Sequence, residues 1–476
     1  MKYGLSNEQL EIIRSFLSKE PAIEEAVLFG SRAIDTFKEA SDIDLAIKGD
    51  SFDLFMANSL KNRLEDETNI PFIFDIIAYK SIKSEELKQH IRIKGVVIYR
   101  RMGEWKEYQL GDVAVFQRGH DLPKTEMSAG NVPVAGSNGI IGYHDESTTK
   151  GPGITIGRSG NIGTPKFYKN DFWAHNTVLY VKDFKGNDEK FIFYFLHTFD
   201  FAGFNAGSAV PTLNRNHIHE IPVTIPPLPE QKAIAAVLSS LDDKIDLLHR
   251  QNKTLEALAE AVWQKMFVEE AEEGWENGQL GDLLDTIESG SRPKGGIDAN
   301  LTGGVPSIGA ENINGLGYYD CSKTKFVRED FFDAMKRGLV RNYDVLIYKD
   351  GAYIGRKSMF GNGFPFAKCS INEHVFILRS NIRTNQFFLY FLLEQDEIEQ
   401  LNANSAQPGI NQESLKSLDV TIPNSEKMQQ YGSIVKPWID KVFENCLQIH
   451  TLEKLRDTLL PKLMSGEMRV KKEEMV

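Results

Sequence analysis

Between Pro229 and Val268 the apolar residues recur at alternating steps of four and three: Ile234, Leu238, Leu241, Ile245, Leu248, Asn252, Leu255, Ala259, Val262 and Met266. Nine of these ten are apolar, the seam of a long helix built to pack lengthwise against another. A shift of 197 residues brings the seam back as Tyr431, Val435, Trp438, Val442, Asn445, Ile449, Leu452, Arg456, Leu459 and Leu463. The same shift carries Lys244, Glu256, Lys265 and Ile225-Pro226 onto Lys441, Glu453, Lys462 and Ile422-Pro423. Two helices on one register, with a long globular stretch between them, predict a duplicated domain-plus-helix unit.

If the helices pack antiparallel and end to end, facing positions sum to 697, and Asn252 meets Asn445. Each amide would leave an unsatisfied polar group in the seam; together they can satisfy one another and fix the register. The bland alternative is that each Asn merely interrupts its own helix face. Arg456 at a seam position is costly unless its head reaches solvent or a partner, and it is expected near a frayed part of the coil.

A chain of 476 residues exceeds one hydrophobic core, and about three domains are expected. No apolar run approaches the roughly 20 residues of a membrane span. The opening segment has acidic residues and no signal-like apolar region, so a cytoplasmic protein is expected. Cys321, Cys369 and Cys446 are odd in number and lack metal-type spacing. Net charge is −12, which argues against tight sequence-blind DNA binding. Residues 105–225 are closer to neutral, with 11 Lys+Arg against 12 Asp+Glu, and 278–422 carry 15 against 18.

Residues 1–100 read as a separate unit. Ser6 and Gln9 offer a capping box for a helix from Asn7 to about Leu17. An apolar strand (Ala26–Phe29) then ends in Gly30-Ser31-Arg32. A second strand alternates through SDIDLAI, with Asp42 and Asp44 on one face, and a third, IPFIFDIIAY, has Asp75 at its middle. Asp42 and Asp44 can share a divalent cation, and Asp75 can complete the site or act on an attacking hydroxyl. Gly30 allows close approach to a phosphate, and Ser31 can hydrogen-bond its oxygen. Alone, an Asp-x-Asp beside a turn is more often a solvated edge. In this order, over about Glu25 to Tyr99, the segment resembles the minimal nucleotidyltransferases of the polymerase-beta superfamily, a group that includes antitoxin nucleotidyltransferases paired with helical ribonuclease toxins. The resemblance implies that Gly30 and Ser31 hold the phosphates of a nucleoside triphosphate, that Asp42 and Asp44 bind Mg2+, and that Asp42, Asp44 and Asp75 are the catalytic carboxylates.

After a basic linker, Tyr99-Arg100-Arg101-Met102-Gly103, the duplicated frame is legible in short echoes. EYQLGDVAVFQRG (107–119) matches NGQLGDLLDTIESG (277–290), GITIGRSGNIG (153–163) matches VLIYKDGAYIG (345–355), and FIFYFL (191–196) matches FFLYFL (387–392). GSAVPTLNRNHIHEIPVTIP (207–226) matches NSAQPGINQESLKSLDVTIP (404–423). Short β-rich runs with Gly and Asn turns, a helix, and a Pro-rich exit into the long helix describe an α/β or α+β globule. With LPEQKAIAAVLSSLDDKIDLLHRQ in the first helix and LRDTLLPKLMSGEMRV at the end, residues from about Trp105 to Val470 closely resemble the DNA-specificity subunit of type I restriction–modification systems.

The resemblance implies an α/β (α+β) multidomain chain: a nucleotidyltransferase-like domain at 1–100, a first target-recognition domain at 104–228, a central spacer helix at 229–270, a second recognition domain at 275–424 and a C-terminal spacer helix at 425–468. It also implies an antiparallel helix pair that spaces two readers of a split double-stranded DNA sequence and docks methyltransferase subunits. An endonuclease/translocase subunit joins that core, S-adenosylmethionine and ATP bind the partner subunits, and the specificity part itself has no catalytic residues. The N-terminal segment is an addition to the family's pattern. The competing reading makes the chain a nucleotidyltransferase regulator, antitoxin-like, with the duplicated domains as its targeting arm.

DNA contacts are expected in loops rich in Gly, Asn and basic or aromatic residues. In the first domain these are Ser137, Asn138, Tyr143, His144, Arg158, Ser159, Asn161 and the stretch Phe172–Asn176. In the second they are Asn312, Asn314, Lys349, Tyr353, Arg356 and Lys357. Asn and Arg bond adenine and guanine edges bidentately, and Lys or Ser positions on phosphate. The competing reading is that these are hairpin turns in which Gly and Asn supply positive φ.

Overall fold

Ser6 and Gln9 exchange hydrogen bonds around the first turn of helix α1 (Asn7–Lys19), the reciprocal cap that starts this helix. The computed structural model describes residues 2–470 apart from 39, 102–104, 205–211, 299, 395–397, 399 and 402–408. Linker residues Met102 and Gly103, and 207–211 and 404–408 of the echoed loops, lie outside the described residues. The order continues β1 (Glu25–Phe29), α2 (Gly30–Ala33), β2 (Ile43–Lys48), α3 (Leu54–Glu67), β3 (Phe74–Ala78), α4 (Glu85–Lys94) and β4 (Val96–Arg100). The sheet runs β3-β2-β1-β4, with β2 and β3 parallel and the other pairs antiparallel. Leu10 and Ile13 of α1 and Leu60 and Leu64 of α3 share one core with Leu28, Leu45 and Phe74 of the sheet. Alternation placed the apolar side chains on that face.

The chain divides into two compact units, Met1–Ser239 with Thr458–Val476, and Ser240–Asp457. In the first, a four-stranded sheet has the order Pro165–Tyr168, Gly153–Gly157, Val178–Asp183, Val115–Arg118. In the second, Lys357–Met359, Val345–Tyr348, Val375–Ser380 and Leu284–Ser289 take the same order, extended at one edge by Gly315–Leu316. Each domain is closed by pairing its first strand with its last: Lys106–Gln109 with Pro222–Ile225, and Glu276–Gln279 with Asp419–Ile422. The two aromatic echoes are helices, Glu189–Leu196 and Gln386–Leu392, capped by Asp188 and Asn385. They bury Phe191, Phe195, Phe388 and Tyr390 against their sheets.

The first long helix spans Leu228–Gln264 and ends in a wider π turn at Lys265–Glu269; the second spans Ser425–Met464. Within the second unit, Ile245 and Leu248 cluster with Ile449 and Leu452, and the Tyr431 hydroxyl donates to the Ala259 carbonyl at 3.2 Å. Early residues of one helix meet late residues of the other, so the pair is antiparallel. Within the first unit, Ile234 and Leu238 share a core with Leu463 and Met464. No helix among the described residues is long and apolar enough to cross a membrane.

Candidate functional site

The N-terminal domain gathers its carboxylates at one end of the sheet. Asp44 is the second residue of β2, and its backbone partners are Asp75 on β3 and Phe29 on β1. Asp42 stands one residue before β2 rather than within it, a correction to the expected strand, and is exposed, as is Asp75. Gly30 has φ +71°, and a Cβ there would lie 2.2 Å from the Asp44 carboxylate. Glycine is thus required by backbone and space together. Ser31 follows it in the single turn of α2.

Burial, then the charges of Asp75 and Asp42, hold the Asp44 carboxyl above the usual carboxylate range, while Arg32 opposes them. Sequence reasoning passed over Arg32. It is 1% exposed, and its guanidinium donates to the carbonyls of Ser41, Asp42 and Tyr3 at 2.6–3.1 Å. The only signal for it was a cation between Gly-Ser and an apolar run. Among the described residues no three Asp, Glu, His or Cys side chains enclose a metal ion by themselves. Asp42, Asp44 and Asp75 bring carboxylate oxygens to one end of the sheet, donor chemistry that suits a hard cation such as Mg2+.

In the first of the two duplicated domains two loops meet. Ser137 Oγ lies 3.5 Å from where a Cβ on Gly160 would sit, and Lys166 Nζ lies 3.1 Å from the corresponding point on Gly139. Ser137, Asn138, Arg158 and Asn161 are therefore neighbours, with Asn138 and Asn161 exposed. Arg118 faces Arg158: burial, then the Arg118 charge, lowers the Arg158 pKa. Two like charges held together suit an anion. Arg118 and Lys166 were missed because each sits singly on a strand, and only pairing brings them to the loops. His144 and Phe172 are corrected: both are buried, and His144 Nδ1 accepts the Ser128 N–H at 3.0 Å.

In the second domain Asn314 is exposed. Lys349 and Arg356 flank one turn, since the Tyr348 N–H donates to the Arg356 carbonyl at 2.8 Å, and the Arg356 guanidinium lies 4.0 Å from the Tyr353 ring centre. Two expected readers are corrected. Asn312 is fully buried, and its amide donates to the Asp320 carbonyl at 3.2 Å. Lys357 donates to the carbonyls of Tyr390 and Leu393, both at 2.6 Å, and burial lowers its pKa to about 8. Neither reaches a base edge from there. The turn alternative holds in part: Ser137 and Asn138 are the two-residue turn between the paired strands Val132–Gly136 and Gly139–His144, but positive φ falls on Gly139, Gly160, Gly315 and Gly355, not on Asn138, Asn161, Asn312 or Asn314.

In the helix seam, Asn445 Nδ2 donates to Asn252 Oδ1 at 2.8 Å and to Gln251 Oε1 at 2.9 Å, and Asn252 donates to Cys446 Sγ at 3.3 Å. The exchange is one-way: Asn445 Oδ1 is buried without a hydrogen-bond partner. Arg456 does not mark a frayed coil, because the helix continues to Met464. It pairs across the seam with Asp242 at 3.0 Å and with its neighbour Asp457 at 2.9 Å.

The family described as type I restriction modification DNA specificity domain matches residues 102–257 and 272–453, and polymerase beta nucleotidyltransferases match 11–104. The type I restriction enzyme MjaIX specificity subunit of Methanocaldococcus jannaschii is 27% identical over 285 residues, which cover 56% of this chain and 65% of that protein. The MjaVIII specificity subunit of the same organism is 24% identical over 286 residues, covering 56% and 66%. The chain thus spans just under two thirds of the length of these relatives. The crystal structure of a type I restriction–modification S subunit from M. genitalium shares the fold over 76% of this chain and 96% of that one, with TM-score 0.54 and 17% identity.

Proposed function

The chain belongs to the type I restriction–modification DNA-specificity family, and from that premise we propose that it reads a bipartite duplex DNA sequence inside a multi-subunit complex. Each recognition domain reads one half of the target. Ser137, Asn138, Arg158 and Asn161, joined by Arg118 and Lys166, serve the first; Asn314, Lys349 and Arg356 serve the second. The observation that carries this reading is one sheet order repeated in two domains whose loops differ. A shared frame with unlike loops suits two readers of unlike sequence.

The long helices set the spacing of the half-sites. A 37-residue helix is roughly 55 Å long at 1.5 Å per residue, more than the about 34 Å of one DNA turn. Their exposed faces dock methyltransferase subunits, and an endonuclease/translocase subunit joins that core in the cytoplasm. S-adenosylmethionine and ATP bind those partners. The test is co-purification with candidate methyltransferase subunits and mapping of methylated adenines. A split motif of fixed spacing is expected; methylation without sequence preference, or no complex, would overturn the reading.

The N-terminal domain takes a nucleoside triphosphate. Gly30 and Ser31 receive its phosphates, Asp42 and Asp44 are the residues that would hold Mg2+, and Asp75 accepts the proton of an attacking hydroxyl on a partner protein or nucleic acid, whose oxygen bonds the α-phosphorus as the bond to the β-phosphate breaks and pyrophosphate leaves. A bound cation there supplies charge neutralisation on the triphosphate oxygens. Support comes from the register of Asp44 with Asp75 and from the room Gly30 leaves for Asp44. Asp42→Asn with Asp44→Asn should abolish nucleotide transfer and leave target methylation by the assembled complex unchanged. Transfer that survives the pair of substitutions would remove this assignment.

A further inference from the structure

Because the two long helices and their flanks share one register, each residue there has an equivalent 197 positions away. The contacts between halves can therefore be compared with those a half would make to a second copy of itself. In the observed pair, facing seam positions sum to 697; in a pair of first helices they would sum to 500, and in a pair of second helices to 894.

Asn252 meets Asn445, and Leu248 clusters with Ile449. Yet the equivalent of Asn252 is Ile449, and the equivalent of Asn445 is Leu248. Two first helices would set each Asn252 against Leu248, and two second helices each Asn445 against Ile449. Asn445 is fully buried; in a pair of second helices it would keep only the equivalent of its Gln251 contact, Gln448, and exchange the facing Asn252 amide for Ile449, twice per dimer. Arg456, bonded to Asp242, would find Ile439, the equivalent of Asp242, in its place in a pair of second helices.

The helix ends repeat the lesson in charge. Glu230, 6% exposed, takes both bonds of Arg469 at 2.6 Å. The equivalent contact is Lys427 with Glu272 at 3.1 Å: same position, charges exchanged. Two first halves would bring Glu230 against Glu272 at each end, and two second halves would bring Lys427 against Arg469.

We infer that the two halves carry a pairing code, made of Asn252–Asn445, Asp242–Arg456, Glu230–Arg469 and Glu272–Lys427, that accepts the other half and rejects a second copy of the same half. The partner surface that each half fits is its sibling. The code keeps one of each domain in every particle, whatever the domains read.

Two measurements test it. In the intact chain, Glu230→Arg and Arg469→Glu each lower the thermal midpoint and their combination recovers most of the loss; Asn252→Leu and the double Asn252→Leu/Asn445→Leu behave likewise. Additive losses in both cycles would overturn the code. Second, a protease site is inserted between Glu273 and Gly274, where both residues are exposed and an added side chain at Gly274 meets nothing within 4 Å. The folded full-length protein is cut, dissociated in urea and diluted, and the species are counted by native mass spectrometry. The mixed pair should make up over about nine in ten dimers. A statistical mixture of self and mixed pairs, or halves recovered only singly, would overturn the inference. Cut protein carrying Glu272→Arg and Asn252→Leu should yield at least about tenfold more first-half dimers, and failure to do so removes these residues as its basis.

Discussion

Arg32 lies between two rings, its guanidinium 4.2 Å from the centre of Phe72 and 5.4 Å from that of Phe37, with its N–H groups on carbonyls of three residues. Its work is to hold the turn that precedes Asp42. Arg32→Ala leaves buried carbonyls without donors and should cost the N-terminal domain about 2–3 kcal/mol. Lys would not replace the planar fork. All five Trp lie at 105 and beyond, so the loss is invisible to tryptophan fluorescence and is read as faster hydrogen exchange in β1 and β2. Unchanged exchange there would contradict the role. Lys357 gives a second prediction. Its folded pKa is about 8 against an ordinary 10.5, so between those values the unfolded chain holds a proton that the folded chain lacks. Stability should rise with pH across that window. The comparison is the urea midpoint of the wild type and of Lys357→Met from about pH 7.5 to about pH 9.5, below tyrosine ionisation. The wild type should gain on the variant as pH rises.

Among elements, those governed by local periodicity were legible and those governed by assembly were not. The heptad seam gave both long helices within a few residues, and SDIDLAI gave β2, because one buried face dictates its own spacing. The carboxylate cluster was legible for the same reason: Asp44 and Asp75 sit at fixed phases of two strands. Reading loops obey no period. Asn312 and Lys357 look in sequence like Asn161 and Arg356, yet packing sends the first two inward, and nothing local to the chain distinguishes them. Arg118 and Lys166 join the loops of Ser137 and Arg158 through strands far apart in sequence. The seam itself supports a prediction. Leu248 is 2% exposed in a small cluster whose other members are Ile245, Ile449 and Leu452. Leu248→Ala should cost about 2–4 kcal/mol, whereas Arg456→Ala, in a half-exposed ion pair, should cost about 1 kcal/mol or less. Urea unfolding followed at Trp263 and Trp438 compares the two, and equal losses would show that charge rather than packing holds the helices.

Across the whole molecule, charge sets how the proposed DNA target would be held. The chain carries −12 overall, and its recognition domains balance 11 basic against 12 acidic residues and 15 against 18. A duplex brought to such a surface gains little from sequence-blind attraction, so specificity must rest on a few placed groups. Other cations are already engaged: Lys323 lies 2.9 Å from Asp320 and Lys325 2.7 Å from Glu311. The slope of log K against log salt for duplex binding by this chain should therefore lie between about −3 and −6. Replacing Arg118, Arg158 and Lys166 together by Ala should flatten it by about 2 to 3, with the loss shared by all sequences. Asn161→Ala should leave the slope in place and weaken preference for the target by about 1–3 kcal/mol. Fluorescence anisotropy of target and scrambled duplexes over a salt series reads both quantities. A slope near −10 for the chain alone would mean that a basic surface outside this cluster dominates, whereas the same slope appearing only after methyltransferase subunits are added would assign the phosphate contacts to them.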